Sequence, residues 1–280
     1  MKNLPSLASL TLSTEAWKWP SRWGERYRAT KQHETKLFDQ HKNSIKQVAY
    51  LHYPSLEQQE AARRNRPVLI NYFVDVLKHR QDQVQDTTAL TLAFLMSDSD
   101  MDNVYAVARA GGHTALLLMS MINRQKMEIA ILALKKMTVD DQLRKLIIDK
   151  YVQNLKNLDT VAKRVNAALS LARLSLVSFR ENIDYIQTTK VHHDVADLMM
   201  NVENNYENDV GEVILHLGRN KVKTREWFIN YFADKIRNET DDASRNRALR
   251  ALFIIANDDT DDKQKIYQKL LKNKPALSMF

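Results

Sequence analysis

The segment KMEIAILALKKM, residues 126–137, places a small residue, Ala130, four and seven positions before two large apolar residues, Leu134 and Met137. A similar pattern returns four times, at Thr88/Leu92/Leu95, Ala167/Leu171/Leu174, Val210/Ile214/Leu217 and Ala248/Leu252/Ile255. Its starts at 88, 130, 167, 210 and 248 are 42, 37, 43 and 38 residues apart. A helical spacing that returns about every 40 residues predicts a repeat array in which each repeat contributes one equivalent helix.

The distribution of proline and glycine indicates helices throughout this array. Residues 68–274 contain no proline, and their only glycines are Gly111, Gly112, Gly211 and Gly218. The apolar residues follow a period of 3.6, which is typical of helices, and not the period of 2 that strands require. We therefore predict an all-α fold.

The first 66 residues differ in composition from the rest of the chain. They hold three of the five prolines and three of the four tryptophans. We predict an irregular arm over residues 1–33, a helix over about 34–51 and a short helix over LEQQEAARRN, with Pro67 opening the next helix. The chain is thus divided into residues 1–66, a basic, Trp-rich arm with leading helices, and residues 67–280, a helical repeat domain.

One unit of the array has a recognisable internal order. The helix NVYAVARA stops at Gly111-Gly112, HTALLLMSMI follows, and after a turn at Asn123-Arg124 comes KMEIAILALKKM. The stretch VARAGGHTALLLMSM, residues 107–121, resembles the armadillo repeat, whose first helix commonly ends in a Gly-Gly turn before an apolar second helix. The resemblance extends over about residues 68–272 and implies a right-handed armadillo-like α-solenoid with an irregular N-terminal arm. The later units lack the glycine pair, so armadillo triplets and HEAT-like helix pairs both remain open for them.

The sequence departs from the armadillo pattern at one functional position. Armadillo proteins that hold extended peptides commonly carry an asparagine on the third helix, just before the second large apolar residue. The corresponding residues here are Phe94, Lys136, Arg173, His216 and Ile254. The resemblance therefore does not imply a peptide-clamping groove or the recognition of nuclear signals.

Most of the basic excess lies in the arm. The net charge is +8, of which residues 1–66 carry +6 and the remainder +2. In the arm, aromatic rings alternate with guanidinium groups, a composition enriched in binding hot spots. We predict a partner-binding site at Trp17, Trp19, Arg22, Trp23, Arg26, Tyr27 and Arg28. Whether this arm caps its own solenoid or anchors to another chain is left open.

A second basic cluster lies within the repeats. Alternating cations in a loop can hold phosphates, and acidic residues such as Glu226 and Asp234 lie close by in the sequence. We predict a possible anion contact at Arg219, Lys221, Lys223 and Arg225.

No catalytic or metal-binding pattern is present in the sequence. Without cysteine, disulfides, thiolate metal sites and a cysteine nucleophile are excluded. Asp98, Asp100 and Asp102 open like a calcium loop, but its sixth and twelfth positions are Asn103 and Arg109, so helix capping explains the aspartates better. Adjacent helical residues point about 100° apart, so His192-His193 is interpreted as a solvated helix start. No nucleophile elbow or phosphate-binding loop occurs, and we predict no enzyme activity, no cofactor and no metal.

These observations favour a non-catalytic scaffold for protein–protein interaction, a structural subunit of a large intracellular complex. Two alternatives stay open: a nucleic-acid-associated protein, for example in ribosomal assembly, and a soluble armadillo-type regulator or chaperone exchange factor. No apolar run reaches the roughly 20 residues of a membrane-spanning helix. The first 14 residues are acid-free and rich in Ser, Thr and Leu, like a mitochondrial presequence, but contain one Lys and no Arg. The expected location is intracellular, in the cytoplasm or cytoskeleton or in the mitochondrion.

Overall fold

The computed structural model describes residues 56–79, 83–96, 101–176, 180–203, 205–256 and 265–266. The chain divides into two compact units, Met1–Asn43 and Ser44–Phe280, and all the described residues belong to the second. The predicted arm and the predicted helix over 34–51 therefore lie outside the described residues. The proposed division at residues 66 and 67 stays a prediction.

The described ranges form helices and no strand. In chain order the helices are α1 (Leu56–His79), α2 (Gln83–Leu95), α3 (Met101–Arg109), α4 (Gly112–Ser120), α5 (Arg124–Met137), α6 (Asp141–Asn157), α7 (Val161–Leu174), α8 (Arg180–Thr188), α9 (Val191–Asn201), α10 (Glu207–Asn220), α11 (Val222–Asn238) and α12 (Asp242–Ala256). The all-α prediction is confirmed for this part of the chain.

The helices that carry the five-fold pattern form one layer. Helices α2, α5, α7, α10 and α12 contact each other in this order, and we call them the third-helix layer. All the residues of the repeating pattern are buried except Leu95, which is half-buried. The sequence period therefore marks the positions at which these helices enter a continuous core.

A second layer covers the first. Helices α1, α4, α6, α9 and α11 also contact one another in order. Each packs on the helix of the third-helix layer that follows it in the chain. We call them the outer layer. Repeated pairing of an outer helix with a third helix gives an armadillo-like α-solenoid, as the resemblance implied.

The units alternate between three helices and two. Between α2 and α5, and again between α7 and α10, the chain forms two short helices, whereas one helix of 17 residues, α6 or α11, fills the other two intervals. The longer sequence steps of 42 and 43 residues are the triplets, and the steps of 37 and 38 are the pairs. The question that the sequence left open is thus answered, within the described chain, by both kinds of unit in turn.

The two triplets break their outer helix at equivalent residues. Gly111 precedes α4 with a φ of 81°, and Lys190 precedes α9 with a φ of 56°. Both lie in the left-handed region, which glycine enters without strain and other residues do not. Gly112 has a different role, because a Cβ there would lie 2.9 Å from the carbonyl oxygen of Val107 and would also strike its side chain.

A buried asparagine fixes the start of each short first helix. The Asn103 amide donates to the carbonyl of Leu95, the last residue of α2, at 2.7 Å. The Asn182 amide donates likewise to the carbonyl of Leu174, the last residue of α7, at 3.1 Å. Each side chain thus satisfies a carbonyl that the helix end leaves without a partner.

One predicted helix boundary is wrong. The sequence placed the end of a short helix before Pro67 and a new helix start at that residue, but α1 runs continuously through it. Pro67 is exposed, so water can satisfy the carbonyl that loses its helical partner to the proline. Packing of Ile70, Phe73 and Leu77 in the core then holds the helix together beyond this point.

Candidate functional site

The helices of the third-helix layer are joined by a ladder of ion pairs. At the first junction, Lys126 Nζ on α5 lies 2.5 Å from Asp86 Oδ1 on α2, with both side chains almost completely buried. At the last junction, Arg250 Nη1 on α12 lies 2.5 Å from Glu207 Oε2 on α10. Arg247 adds a hydrogen bond of 3.1 Å to the carbonyl of Met200. These pairs join helices from neighbouring repeats.

The centre of the ladder is a shared arginine. Arg173 Nη2 on α7 lies 3.1 Å from Glu128 Oε1 on α5 and 2.9 Å from Glu212 Oε1 on α10. His216 Nε2, one turn along α10, lies 3.6 Å from the same Glu212 oxygen. Every junction in the third-helix layer therefore has at least one ion pair. We call this set the charge ladder.

The electrostatics of Glu212 reflect these cations. Burial alone would raise the pKa of its carboxyl, but the hydrogen bond with His216 and the charges of Arg173 and Arg124 outweigh burial and lower the pKa to about 2. Glu212 is therefore ionised at neutral pH.

Arg124 connects two helices that are not neighbours in the layer. From the first residue of α5 it reaches α10, with Nη2 3.0 Å from Glu212 Oε2 and Nη1 2.5 Å from Asp209 Oδ1. Because α7 lies between these helices in the layer, this ion pair spans α7, and the chain's own side chains cross the third-helix face.

The charge ladder explains the residues that stand where peptide-binding armadillo proteins carry asparagine. At those positions Arg173 binds carboxylates of two neighbouring helices and His216 binds the carboxylate of Glu212 on its own helix, instead of pointing at an empty groove. Ile254 lies so close to Gly211 that a Cβ on this glycine would be only 2.4 Å from Ile254 Cδ1. Helices α10 and α12 therefore approach each other closely at this point. Sequence reasoning identified these positions but missed the pairing of Arg173, because its partners Glu128 and Glu212 lie about 40 residues away in other repeats.

The structure places the predicted basic cluster at the junction of α10 and α11. Lys221 is the N-cap residue of α11, and its Nζ lies 3.0 Å from Asp184 Oδ1 on α8. Arg225 is half-buried and packs beside Gly218. A Cβ added to Gly218 would lie 3.5 Å from the Cβ of Arg225. Lys223 is exposed and Arg219 is half-buried. The four side chains thus do not share one environment, and their contact with an anion stays a prediction.

The histidine pair is packed and not simply solvated. The ring centroids of His192 and His193 on α9 lie 4.8 and 4.3 Å from that of Trp227 on α11. Trp227 stacks in turn on Tyr231 at 5.1 Å. Burial, helped by the nearby charges of His193 and Lys190, lowers the pKa of His192 to about 4. The interpretation of His192 as a solvated helix start is therefore wrong, because its ring packs on Trp227 in the contact between the outer-layer helices α9 and α11.

Several other predicted residues lie outside the described chain. They include the whole arm site, Trp17, Trp19, Arg22, Trp23, Arg26, Tyr27 and Arg28, and the aspartates Asp98 and Asp100. Asp102 is exposed in the first turn of α3. Within the described ranges no three His, Asp or Glu side chains are grouped as metal ligands would be. None of the helices there combines the length and apolar content that crossing a membrane requires.

Comparisons with known proteins find likeness in structure alone. No protein family and no curated protein sequence matches the chain. Over most of its length it is similar to designed and natural armadillo repeat proteins. A designed armadillo repeat protein in complex with the peptide (KR)4 is 12% identical with a TM-score of 0.39, over 76% of this chain and 90% of the other. The armadillo repeats only protein from Plasmodium falciparum is 12% identical with a TM-score of 0.34, over 73% of this chain and 100% of the other. An engineered protein is 19% identical with a TM-score of 0.39, over 76% of this chain and 98% of the other.

Proposed function

We propose that this protein is a non-catalytic scaffold for protein–protein interaction and a structural subunit of a larger intracellular assembly. The observation that carries the proposal is the contrast between its polar and apolar surfaces. The ionic groups of the charge ladder are paired within the chain, whereas large apolar side chains remain exposed, on the outer layer at Val68, Tyr72, Leu118, Leu146 and Val222 and on α12 at Phe253.

This distribution is the reverse of that in an enzyme cleft. Active sites gather a few polar groups, with shifted pKa values, in a concave apolar pocket. Here the lowered pKa of the Glu212 carboxyl is explained by its ion pairs within the third-helix layer. Apolar side chains exposed in patches instead mark surfaces that other proteins cover.

The arm supplies the proposed anchor. Its tryptophans and arginines have the composition of a hot spot, and residues 1–66 carry +6 of the net charge of +8. We propose that Trp17, Trp19, Arg22, Trp23, Arg26, Tyr27 and Arg28 bind another subunit.

The experiment is a native purification of the tagged full chain, compared with the variant Trp17→Ala/Trp19→Ala/Trp23→Ala. We expect the unmodified chain to elute in a stoichiometric protein complex far larger than 32.6 kDa, and the variant to elute as a folded monomer. A matched variant with phenylalanine at the three positions should keep part of the association. An unmodified chain that elutes only as a monomer from its native source would contradict the proposal.

A nucleic-acid partner is a second candidate, supported by the exposed Lys221 and Lys223 at the start of α11. It is less well supported, because Asp184 already pairs with Lys221. Phosphate binding should fall steeply with salt. Nuclease treatment of the purified assembly separates the two candidates, since a protein scaffold should survive it.

A further inference from the structure

The outer layer has an apolar groove between α4 and α6. The groove measures about 740 Å³. Its floor and walls are apolar, and the residues that form them are Leu117, Leu118, Met121, Ile122, Leu146 and Leu158. Neither the charge ladder nor the basic cluster borders it.

The composition of α4 is unusual for a helix that faces solvent. Its sequence, GHTALLLMS, is apolar almost all round, which is typical of a helix covered on every side. Yet Leu118 is 67% exposed, Ile122, just beyond the helix, is 46% exposed, and Leu146 across the groove on α6 is 48% exposed. Three large aliphatic side chains thus line one open hollow.

This exposure favours a protein helix over a small molecule as the occupant. A small-molecule site encloses most of its ligand, whereas the walls of this groove stay open to solvent. Leu118 and Ile122 lie four residues apart, so they present one apolar position per helical turn. A helix that carries apolar side chains at i, i+3 or i+4, and i+7 matches that spacing.

The rim carries a net positive charge, because two lysines and one aspartate line it among the described residues. Lys150 Nζ donates to the neutral Gln153 Oε1 at 2.9 Å, and Lys163 is exposed. Among the described residues neither lysine has a carboxylate partner. The one acidic residue on the rim, Asp149, accepts at 3.0 Å from the hydroxyl of Tyr185 on α8.

We propose that the groove between α4 and α6 binds an amphipathic helix of a partner protein whose apolar face is flanked by aspartate or glutamate. The apolar side chains of this helix pack on Leu118, Ile122 and Leu146. Its carboxylates pair with Lys150 and Lys163. These pairs set the orientation of the partner helix in the groove and the preference of the groove for an acidic helix. The proposal rests on the scaffold function and names a surface for it.

The test is a titration of the full chain, with labelled Ile, Leu and Met methyl groups, by two synthetic 16-residue helical peptides. Both peptides carry leucine at positions 3, 7, 10 and 14, with glutamate on the flanks in one and lysine in the other. We expect the acidic peptide to shift the methyl resonances of Leu118, Ile122 and Leu146. It should bind at least about tenfold more tightly than the basic one.

Two sets of variants make the test specific. Lys150→Glu/Lys163→Glu should reverse the preference between the peptides, whereas Lys223→Glu/Lys265→Glu, the same change in net charge at exposed residues that do not line the groove, should not. Leu118→Gln should weaken binding of the acidic peptide at least about tenfold without unfolding the protein, because Leu118 is exposed already.

Four outcomes would overturn the proposal. The first is equal binding of both peptides, and the second is shifts confined to methyl groups outside the groove. The third is a change of the groove resonances with protein concentration, accompanied by a doubling of the molecular mass. The fourth is peptide binding only after removal of residues 1–43. The third assigns the groove to a second copy of the chain and the fourth to its own arm. Because neither peptide involves the native assembly, the groove can fail here while the scaffold function stands, and the native purification can fail while the groove binds.

Discussion

At the scale of single residues, the triplets depend on one backbone conformation that two different residues adopt. Gly111 has the left-handed conformation before α4, and Lys190 has it before α9. The sequence predicted the first turn from its glycine pair. It did not predict the second, because a lysine gives no sign of a positive φ; only its position before an apolar helix does.

We expect Lys190→Gly to stabilise the protein by about 1 kcal/mol, since glycine removes the steric cost of a Cβ in the left-handed region. Gly111→Ala should destabilise it by about 1–2 kcal/mol for the converse reason. Chemical denaturation measures both changes. Lys190→Ala is the matched control, and a gain in stability for alanine equal to that for glycine would contradict the assignment of strain at this position.

At the scale of helices, the junctions of the third-helix layer depend on polar side chains as well as on the buried pattern. Arg173 joins α5, α7 and α10 with its side chain only 13% exposed. The sequence predicted which helices form this layer from the apolar residues alone. It could not predict the ion pairs, because their geometry depends on how three separate repeats are rotated against one another.

Arg173→Met should destabilise the protein by about 2 kcal/mol, because it removes the ion-pair partner of the partly buried Glu128 and one of the ion-pair partners of Glu212. The exposed Arg245, paired with Asp242 on the same helix, is the matched control. Arg245→Met should change the stability by less than about 0.5 kcal/mol. Equal effects of the two substitutions in urea denaturation would show that the central ion pair contributes no more than a surface pair.

The contact between α9 and α11 should weaken in mild acid. The pKa of His192 in the folded protein is about 4, below its ordinary value, so protonation favours the unfolded state. Stability should be unaffected above about pH 6.5 and fall between there and pH 4, by about 1 kcal/mol after allowance for solvent screening. The carboxylates nearby are already paired, Asp194 with Lys156 and Asp197 with Tyr231.

His192→Gln isolates this effect. The difference in unfolding free energy between the unmodified chain and this variant, measured from pH 8 to pH 4, should decrease as the pH falls. The low pKa of Glu212 makes its own contribution to stability decline only below about pH 4.5, so it leaves this window clear. A difference that is constant over the whole range would mean that the His192 ring titrates normally in the folded protein.

At the scale of the whole repeat unit, alternation of triplets and pairs gives a super-repeat of about 80 residues. The alternation was already present in the sequence as long and short intervals between the five patterns. It could be interpreted only once the breaks at Gly111 and Lys190 were seen to replace one long outer helix by two short ones. Local sequence thus determines the helices, whereas the open groove beside α4 arises from how neighbouring repeats pack.

The third-helix face, crossed by the chain's own charges, is the central feature of this account. Its most direct test is a double-mutant cycle on Arg124 and Glu212, because this pair spans α7 and forms only if α5 and α10 approach each other. We predict a favourable coupling of about 0.5–1 kcal/mol between Arg124→Ala and Glu212→Gln in unfolding free energy. A control cycle of Arg124 with Asp234 of the outer layer should give none. A coupling for Arg124 and Glu212 that is indistinguishable from the control would contradict the account.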